Sequence, residues 1–290
     1  MSIGNSVIDV HAHLYPSSFP NKQINQILIR AQNVNVASVV AVSETLEDAK
    51  SIFALKNDLS IPLDLREMIE PCAGLHPVTP QGAKSVVKLD QVNGILEFIK
   101  EKSSELVGIG EVGMDFTPHV LNNAINAHPE LKLTKEDLKS IQRDIFIRQI
   151  ALSLQLDLPL NVHSRSAGHY VLDCLRDYGA RKVVMHAFNG QIKYAKRGVE
   201  MGFYFSIPPE VVYLPQKQKL VEAIPLSNIL LETDAPALGP ENGVDNEPDS
   251  IVFSIKEIAR IKQIPIDEVI RQTTQNAYKL FPRIKKINIT

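Results

Sequence analysis

Val7-Ile-Asp-Val-His-Ala-His-Leu14 decides how this chain is read. An apolar run of strand length ends in two histidines separated by one residue. Side chains along a strand alternate between faces, so His11 and His13 project to the same side. Two imidazoles held side by side on rigid backbone make half a metal site, because neutral imidazole is the commonest protein ligand for transition metals. The other half must come from elsewhere in the chain, which makes the question one of fold.

The fold reading starts from the recurrence of that pattern. Apolar runs of strand length fall at residues 7–13, 36–42, 71–75, 106–112, 160–163, 182–186, 203–207 and 229–233. Helical periodicity follows them at about 24–34, 44–59, 85–102, 135–156, 167–178, 192–201 and 216–223, and two helices near 250–262 and 266–280 close the chain. Residues 113–133 read as irregular, and Thr134-Lys-Glu-Asp137 reads as a capping box for the long helix behind it. Eight strands alternating with helices predict an α/β fold, a (β/α)8 barrel of the TIM type, with a doubly wound open sheet as the alternative. Continuous apolar runs such as Val39-Val-Ala-Val42 and Ile229-Leu-Leu231 suit parallel strands covered on both faces. With no internal repeat, low-complexity segment or linker, residues 1–290 are expected to form one domain.

Composition narrows the function. The 290 residues are 44% hydrophobic and 22% charged, ordinary for a globular chain. A formal charge of −2 excludes a protein that coats nucleic acid with a basic face, so any DNA contact must be local to a site. Cys72 and Cys174 are read as small buried apolar residues, since two distant cysteines make no disulfide framework. No apolar run approaches the ~18 residues a membrane span needs, and the N-terminus lacks a signal-peptide pattern. The expectation is an intracellular protein of the cytoplasm or nucleus that spans no membrane.

Barrel enzymes carry their chemistry at the C-terminal ends of the strands. His11 and His13 end the first strand, His76 follows the third, Glu111 ends the fourth with Asp115 just beyond, His163 ends the fifth, His186 the sixth, and Asp234 follows the eighth. Five of the eight histidines in the chain therefore fall at strand ends. A polar group ending an apolar strand must be solvated, paired or coordinated. Four histidines and two carboxylates are too many for one tetrahedral zinc. They suit two divalent ions per subunit sharing a bridging carboxylate, the arrangement that clamps the attacking and leaving oxygens of an in-line displacement. Glu111 is the expected bridge, Asp234 the partner of His11 and His13, and His163 and His186 the holders of the second ion. Mixed nitrogen and oxygen donors suit Zn, Mn, Co or Fe and accept Mg less readily.

These residues also carry a resemblance. Asp9-Val-His-Ala-His13, Gly74-Leu-His-Pro77, Gly110-Glu-Val-Gly-Met-Asp115, His163-Ser-Arg165, the His186 segment and Glu232-Thr-Asp-Ala-Pro236 resemble the successive motifs of the TatD family of metal-dependent deoxyribonucleases, within the amidohydrolase-like barrels, its eukaryotic branch being nearest in pattern. Asn246-Glu-Pro248 and Asn276-Ala-Tyr-Lys-Leu-Phe281 extend it over nearly the whole chain. By that resemblance His11, His13, Glu111, His163, His186 and Asp234 match metal-ligand positions, with Glu111 and Asp234 catalytic and Asp234 orienting or deprotonating the attacking water. The family implies phosphodiester hydrolysis in DNA from the 3′ end with a preference for single strands, and two divalent ions drawn from Zn, Mn, Mg or Co. The stretch after Asp115, through Pro118, His119 and Pro129, departs from the family by being longer and less regular.

The expected mechanism is attack on phosphorus by a metal-activated hydroxide. Arg165 is expected to pair with a phosphate as a planar donor, the alternative being a salt bridge on the rim. His76 is expected to contact substrate or give a proton to the leaving oxygen, and Asp115 to support a ligand or the loop. His119, His128 and His169 read as surface residues, and the basic runs at 193–197 and 217–219 as solvated helix faces. No obligate protein partner is implied, and a monomer is expected. Two rivals remain: hydrolysis of a small ester, lactone or amide on the same metals, because fold does not fix substrate, and a non-catalytic metal-binding protein.

Overall fold

The computed structural model describes residues 6–20, 23–78 and 89–286. Eight strands form in these residues: β1 (Val7–Ala12), β2 (Val36–Val42), β3 (Ile69–Cys72), β4 (Ile109–Gly113), β5 (Leu160–His163), β6 (Val183–Met185), β7 (Tyr204–Ile207) and β8 (Ile229–Leu231). All pair in parallel and in sequential order, β1-β2-β3 and then β4 through β8. A doubly wound sheet would reverse its strand order at a switch point. This order does not reverse.

The regular ladder breaks at two seams, and backbone hydrogen bonds cross both. Val107 N donates to Pro71 O (2.9 Å) and Gly110 N to Ala73 O (3.1 Å) between β3 and β4. Asp234 N donates to His11 O (2.9 Å) and His13 N to Ala235 O (2.8 Å) between the residues after β8 and β1. The sequential order and the crossed seams are those of a TIM-type barrel. Ile8, Val10, Val40, Val42, Cys72, Val184, Tyr204 and Leu230 form one buried cluster inside the ring. Phe281 and Ile284 join it, and Phe281 packs where Gly108 precedes β4, closing the N-terminal end. The alternate residues of the strands pack outward on the helices.

Those helices are α1 (Ile24–Asn33), α2 (Leu46–Asn57), α3 (Leu63–Glu67), α4 (Leu89–Glu101), α5 (Pro118–Ala127), α6 (Lys135–Leu156), α7 (Gly168–Asp177), α8 (Ile192–Glu200), α9 (Pro215–Ala223), α10 (Ile251–Lys262) and α11 (Ile266–Leu280). The capping box expected at Thr134 is present, its side chain accepting from Asp137 N at 3.2 Å. Residues 85–88 of the helix expected over 85–102 lie outside the described residues.

Three expectations are corrected. Residues 113–133 are not irregular throughout, because α5 spans ten of them. Its Pro118 stands at the first helical position, where proline's fixed φ favours a helix start, although its Asn-rich sequence reads as loop. The third strand runs two to three residues earlier than 71–75, with Glu70 inside it, because a carboxylate masks the apolar run. Lys217, read as part of a solvated face, is fully buried.

Among the described residues no helix is long and apolar enough to cross a membrane. Cys72 and Cys174 are free and buried. Burial pushes both thiols up, that of Cys174 to about 11. Neither should react with Ellman's reagent at pH 8 in the folded protein, and both should react in guanidinium. Rapid labelling of native protein would contradict this packing.

Candidate metal centre

The polar centre is the continuation, two residues onward, of the apolar interior. Val184 is followed on the same face by His186, Tyr204 by Ser206, Leu230 by Glu232, and Asn161 by His163. Strands β5 to β8 thus end in a polar group aimed at one rim, whereas irregular pairing on β1 and β4 brings His11, His13 and Glu111 to it outside that alternation.

Glu111 is buried in the middle of this rim. Its Oε2 lies 3.6 Å from His11 Nε2 and 3.5 Å from His13 Nε2. Its Oε1 lies 2.8 Å from His163 Nδ1 and 3.6 Å from both His76 Nε2 and His186 Nε2. Asp234 Oδ1 completes the first side, 3.3 Å from the Nε2 of His11 and of His13, and it reaches His186 Nε2 at 4.0 Å. All six expected ligand residues are therefore together, and His76 is with them.

Close backbone approach makes this possible. A Cβ on Gly110 would lie 2.5 Å from Asn161 Cβ, and Gly113, at φ +141°, would drive one to within 2.0 Å of His163 O. Glycines on both sides of Glu111 let β4 press against β5 at the ligand level.

The far nitrogens of the imidazoles are tied down. His11 Nδ1 donates to Asn161 Oδ1 (2.8 Å), and Asn161 Nδ2 donates to Val10 O (2.8 Å). His186 Nδ1 donates to Glu232 Oε2 (2.9 Å), a carboxylate that also takes Ser206 Oγ (2.5 Å) and Ala187 N (2.9 Å). His13 Nδ1 stands 3.4 Å from the Tyr15 hydroxyl, which donates to Glu44 Oε2 at 3.3 Å. His76 Nδ1 is 2.5 Å from Val78 O, a separation that requires a hydrogen between them. The nearby Val78 N–H, at 3.1 Å, is therefore not accepted by that nitrogen. With these N–H groups fixed, the Nε2 lone pairs of His11, His13, His76 and His186 all face carboxylate oxygens.

Such a set calls for positive charge inside it, from protons on the imidazoles or from a bound cation. His11 Nε2 is buried and makes no hydrogen bond. The separations of 3.3–3.6 Å are those of ligand pairs around an ion about 2.1 Å from each donor. The donors fit a metal. Among the described residues three groups have ligand atoms close enough to hold one: His11 with His13 and Asp234; His76 with Glu111 and His163; and His11 with His186 and Glu232. In the third, the Glu232 oxygens are committed to His186, Ser206 and Ala187, so this carboxylate orients His186.

Charge follows the same pattern. Burial opposes ionisation of Glu111, but His76, His186 and His11 around it hold the carboxyl well below its ordinary range. Burial opposes protonation of His11, yet Glu111 and Asp234 push it up to about 10. His163 rises to about 9 because Asp115 and Glu111 overcome its burial. His76 is lowered to about 4, burial dominating. Asp115 holds His163 Nε2 at 3.2 Å, the supporting role expected of it. Asp9 links the β1–β8 seam, accepting from Thr233 N (3.1 Å), Thr233 Oγ1 (2.5 Å) and His11 N (3.1 Å).

A pocket of about 200 Å³ opens over His163, His186 and Asp234. Exposed Arg165 and buried Glu210 line its mouth. Sequence reading missed Glu210 and its partner Lys217, whose ammonium lies 3.4 Å from Glu210 Oε1 and donates to Ala187 O at 2.5 Å. It also missed the orienting roles of Asn161 and Glu232. Both stand two residues before a ligand in an apolar run, which was the available signal.

A TIM-type barrel with such a rim defines a metal-dependent hydrolase. The chain belongs to the TatD related DNase family, whose model matches residues 8–282. It is 40% identical to Deoxyribonuclease TATDN3 of Homo sapiens over 98% of this chain and 97% of that one. It is 29% identical to the uncharacterized metal-dependent hydrolase YabD of Bacillus subtilis over 95% and 98%. The crystal structure of YJJV, a TatD homologue from Escherichia coli K12, superimposes with a TM-score of 0.78 at 21% identity, covering 97% of this chain and 99% of that one.

Glu232→Gln should weaken binding of divalent metal roughly 10–100-fold, the usual worth of a group that orients a ligand histidine. Titration of the chelator-stripped protein with Co²⁺, followed by its visible absorption, measures this. Unchanged affinity would show that His186 needs no orientation by Glu232.

Proposed function

We propose that this chain is a single-domain, two-metal phosphodiesterase that degrades DNA from the 3′ end, prefers single strands, and acts inside the cell as a monomer. The observation that carries the reading is the division of Glu111. One carboxylate oxygen faces His11 and His13, and the other faces His163 and His186. A carboxylate so divided would be shared between two bound ions, His11, His13 and Asp234 holding one and His163 and His186 the other. His76 stands on the second side, near enough to complete that set, where the sequence reading gave it substrate contact or proton donation to the leaving oxygen.

Bound divalent ions supply a water acidified to near neutral pH and neutralise charge on the phosphoryl oxygens. The protein supplies the rest. Asp234, which neighbouring histidines hold ionised against its burial, accepts a hydrogen bond or proton from the attacking water. Arg165, at the pocket mouth, pairs with a phosphate oxygen and sets the strand's register. Asn161, Glu232 and Asp115 keep three imidazoles in fixed tautomers and orientations. The deoxyribonuclease name of the human relative supports DNA as the substrate. The 3′ polarity and single-strand preference rest on family resemblance.

The test is degradation of 3′- and 5′-end-labelled single-stranded DNA in Mg²⁺, Mn²⁺ or Zn²⁺. A ladder shortening from the 3′ end is expected. Glu111→Ala should reduce it roughly 10³-fold or more, the scale of several kcal/mol of lost charge stabilisation. Asp234→Asn should lose roughly 10²–10⁴-fold. Stoichiometric metal without DNA cleavage, together with turnover of a small ester or amide, would overturn the nuclease reading.

A further inference from the structure

Alternate residues after β4 face opposite ways, and this puts a second cavity beside the metal centre. Asp115 turns inward to His163. Its neighbours Met114 and Phe116 line a groove of about 300 Å³ between α6 and α7. Phe116 N donates to Arg165 O at 3.0 Å, so the groove and the pocket mouth share one piece of backbone.

The groove wall is aromatic where it meets solvent. Tyr170, in the first turn of α7, is 47% exposed, and its ring meets that of Phe116 edge to face at 5.2 Å. His169 backs Tyr170 at 3.9 Å and reaches Tyr194 of α8 at 5.3 Å, so the exposed ring is braced from behind. His169, read as a plain surface residue, is therefore half-buried support. The polar lining is two cations, Lys139 and Arg143, against three carboxylates, Glu136, Asp173 and Asp177. That balance does not attract a phosphate. Glu136 is paired with Lys139, and Asp173 and Asp177 with Arg176, so what the groove offers a nucleobase is an aromatic wall for its π face with the Ser140 hydroxyl beside it.

We infer that this groove is a base-binding subsite: an unpaired nucleobase next to the scissile phosphate stacks on Tyr170 while Arg165 holds the intervening phosphate. The inference rests on the nuclease reading above and names where its substrate strand lies. Its position on the outer side of the rim requires a strand free to splay its bases. A paired duplex cannot offer a base there, so the groove gives the single-strand preference a structural cause.

The test compares wild type, Tyr170→Ala and Tyr170→Phe on a short single-stranded oligonucleotide and on bis(4-nitrophenyl) phosphate, which has no base. Tyr170→Ala should lose roughly 5- to 150-fold in kcat/KM on the oligonucleotide, the worth of one base–aromatic stack, with the loss in KM. Tyr170→Phe should retain activity, and the small diester should be hydrolysed equally by all three. An unchanged KM for the oligonucleotide, or equal losses on both substrates, overturns the subsite. Wild type that hydrolyses the small diester but no DNA overturns the nuclease reading itself, and the subsite with it.

Discussion

The Glu111 carboxylate, buried among five imidazoles, is the constraint on which the rest depends. A buried carboxylate is costly unless it is paired. Here its partners are imidazoles, and the positive charge that compensates it comes from protons on them or from a bound cation. The surrounding structure serves to keep it in place. Glycines at 110 and 113 bring β4 against β5, Ser43 O accepts from Glu111 N at 2.9 Å, and the ring of histidines is held from behind by Asn161, Glu232, Asp115 and Tyr15.

The barrel supplies this geometry through strand parity. The same face that packs Val184, Tyr204 and Leu230 into the interior carries His186, Ser206 and Glu232 one step higher. On β6, β7 and β8 stability and chemistry therefore share one register, and a slip of one residue would turn His186, Ser206 and Glu232 outward. Asp9 ties β1 to Thr233 across the seam, so the two halves of the first ligand set arrive from opposite ends of the chain at a fixed spacing. Lys217 does similar work at the other side. Its buried ammonium grips the carbonyl of Ala187, directly after His186, and is balanced by Glu210.

The strands and the polar residues that gather at the rim were legible in the sequence from one pattern. Apolar runs ended by His or by a carboxylate locate a parallel strand and its catalytic end together, and the ends of β5 and α6 are found to the residue. What was missed lacks that signature. Helix α5 is Asn-rich and begins with proline, so its composition argues against the helix that tertiary packing of Leu121 and Ala124 stabilises. Asn161 and Glu232 have the right parity, but their roles are set by a partner on another strand. Lys217 carries a charge that composition assigns to solvent. Only the barrel reveals that its neighbour is a carboxylate seven residues earlier. His76 was legible as a rim residue, but its approach to Glu111 depends on the turn to Val78, which sequence does not specify.

We propose that Glu111 bridges two ions. Anomalous diffraction from crystals grown with Mn²⁺ tests it most directly. It should show two peaks roughly 3.5–4 Å apart, with one Glu111 oxygen on each. A single ion, or two ions neither of which touches Glu111, would contradict it.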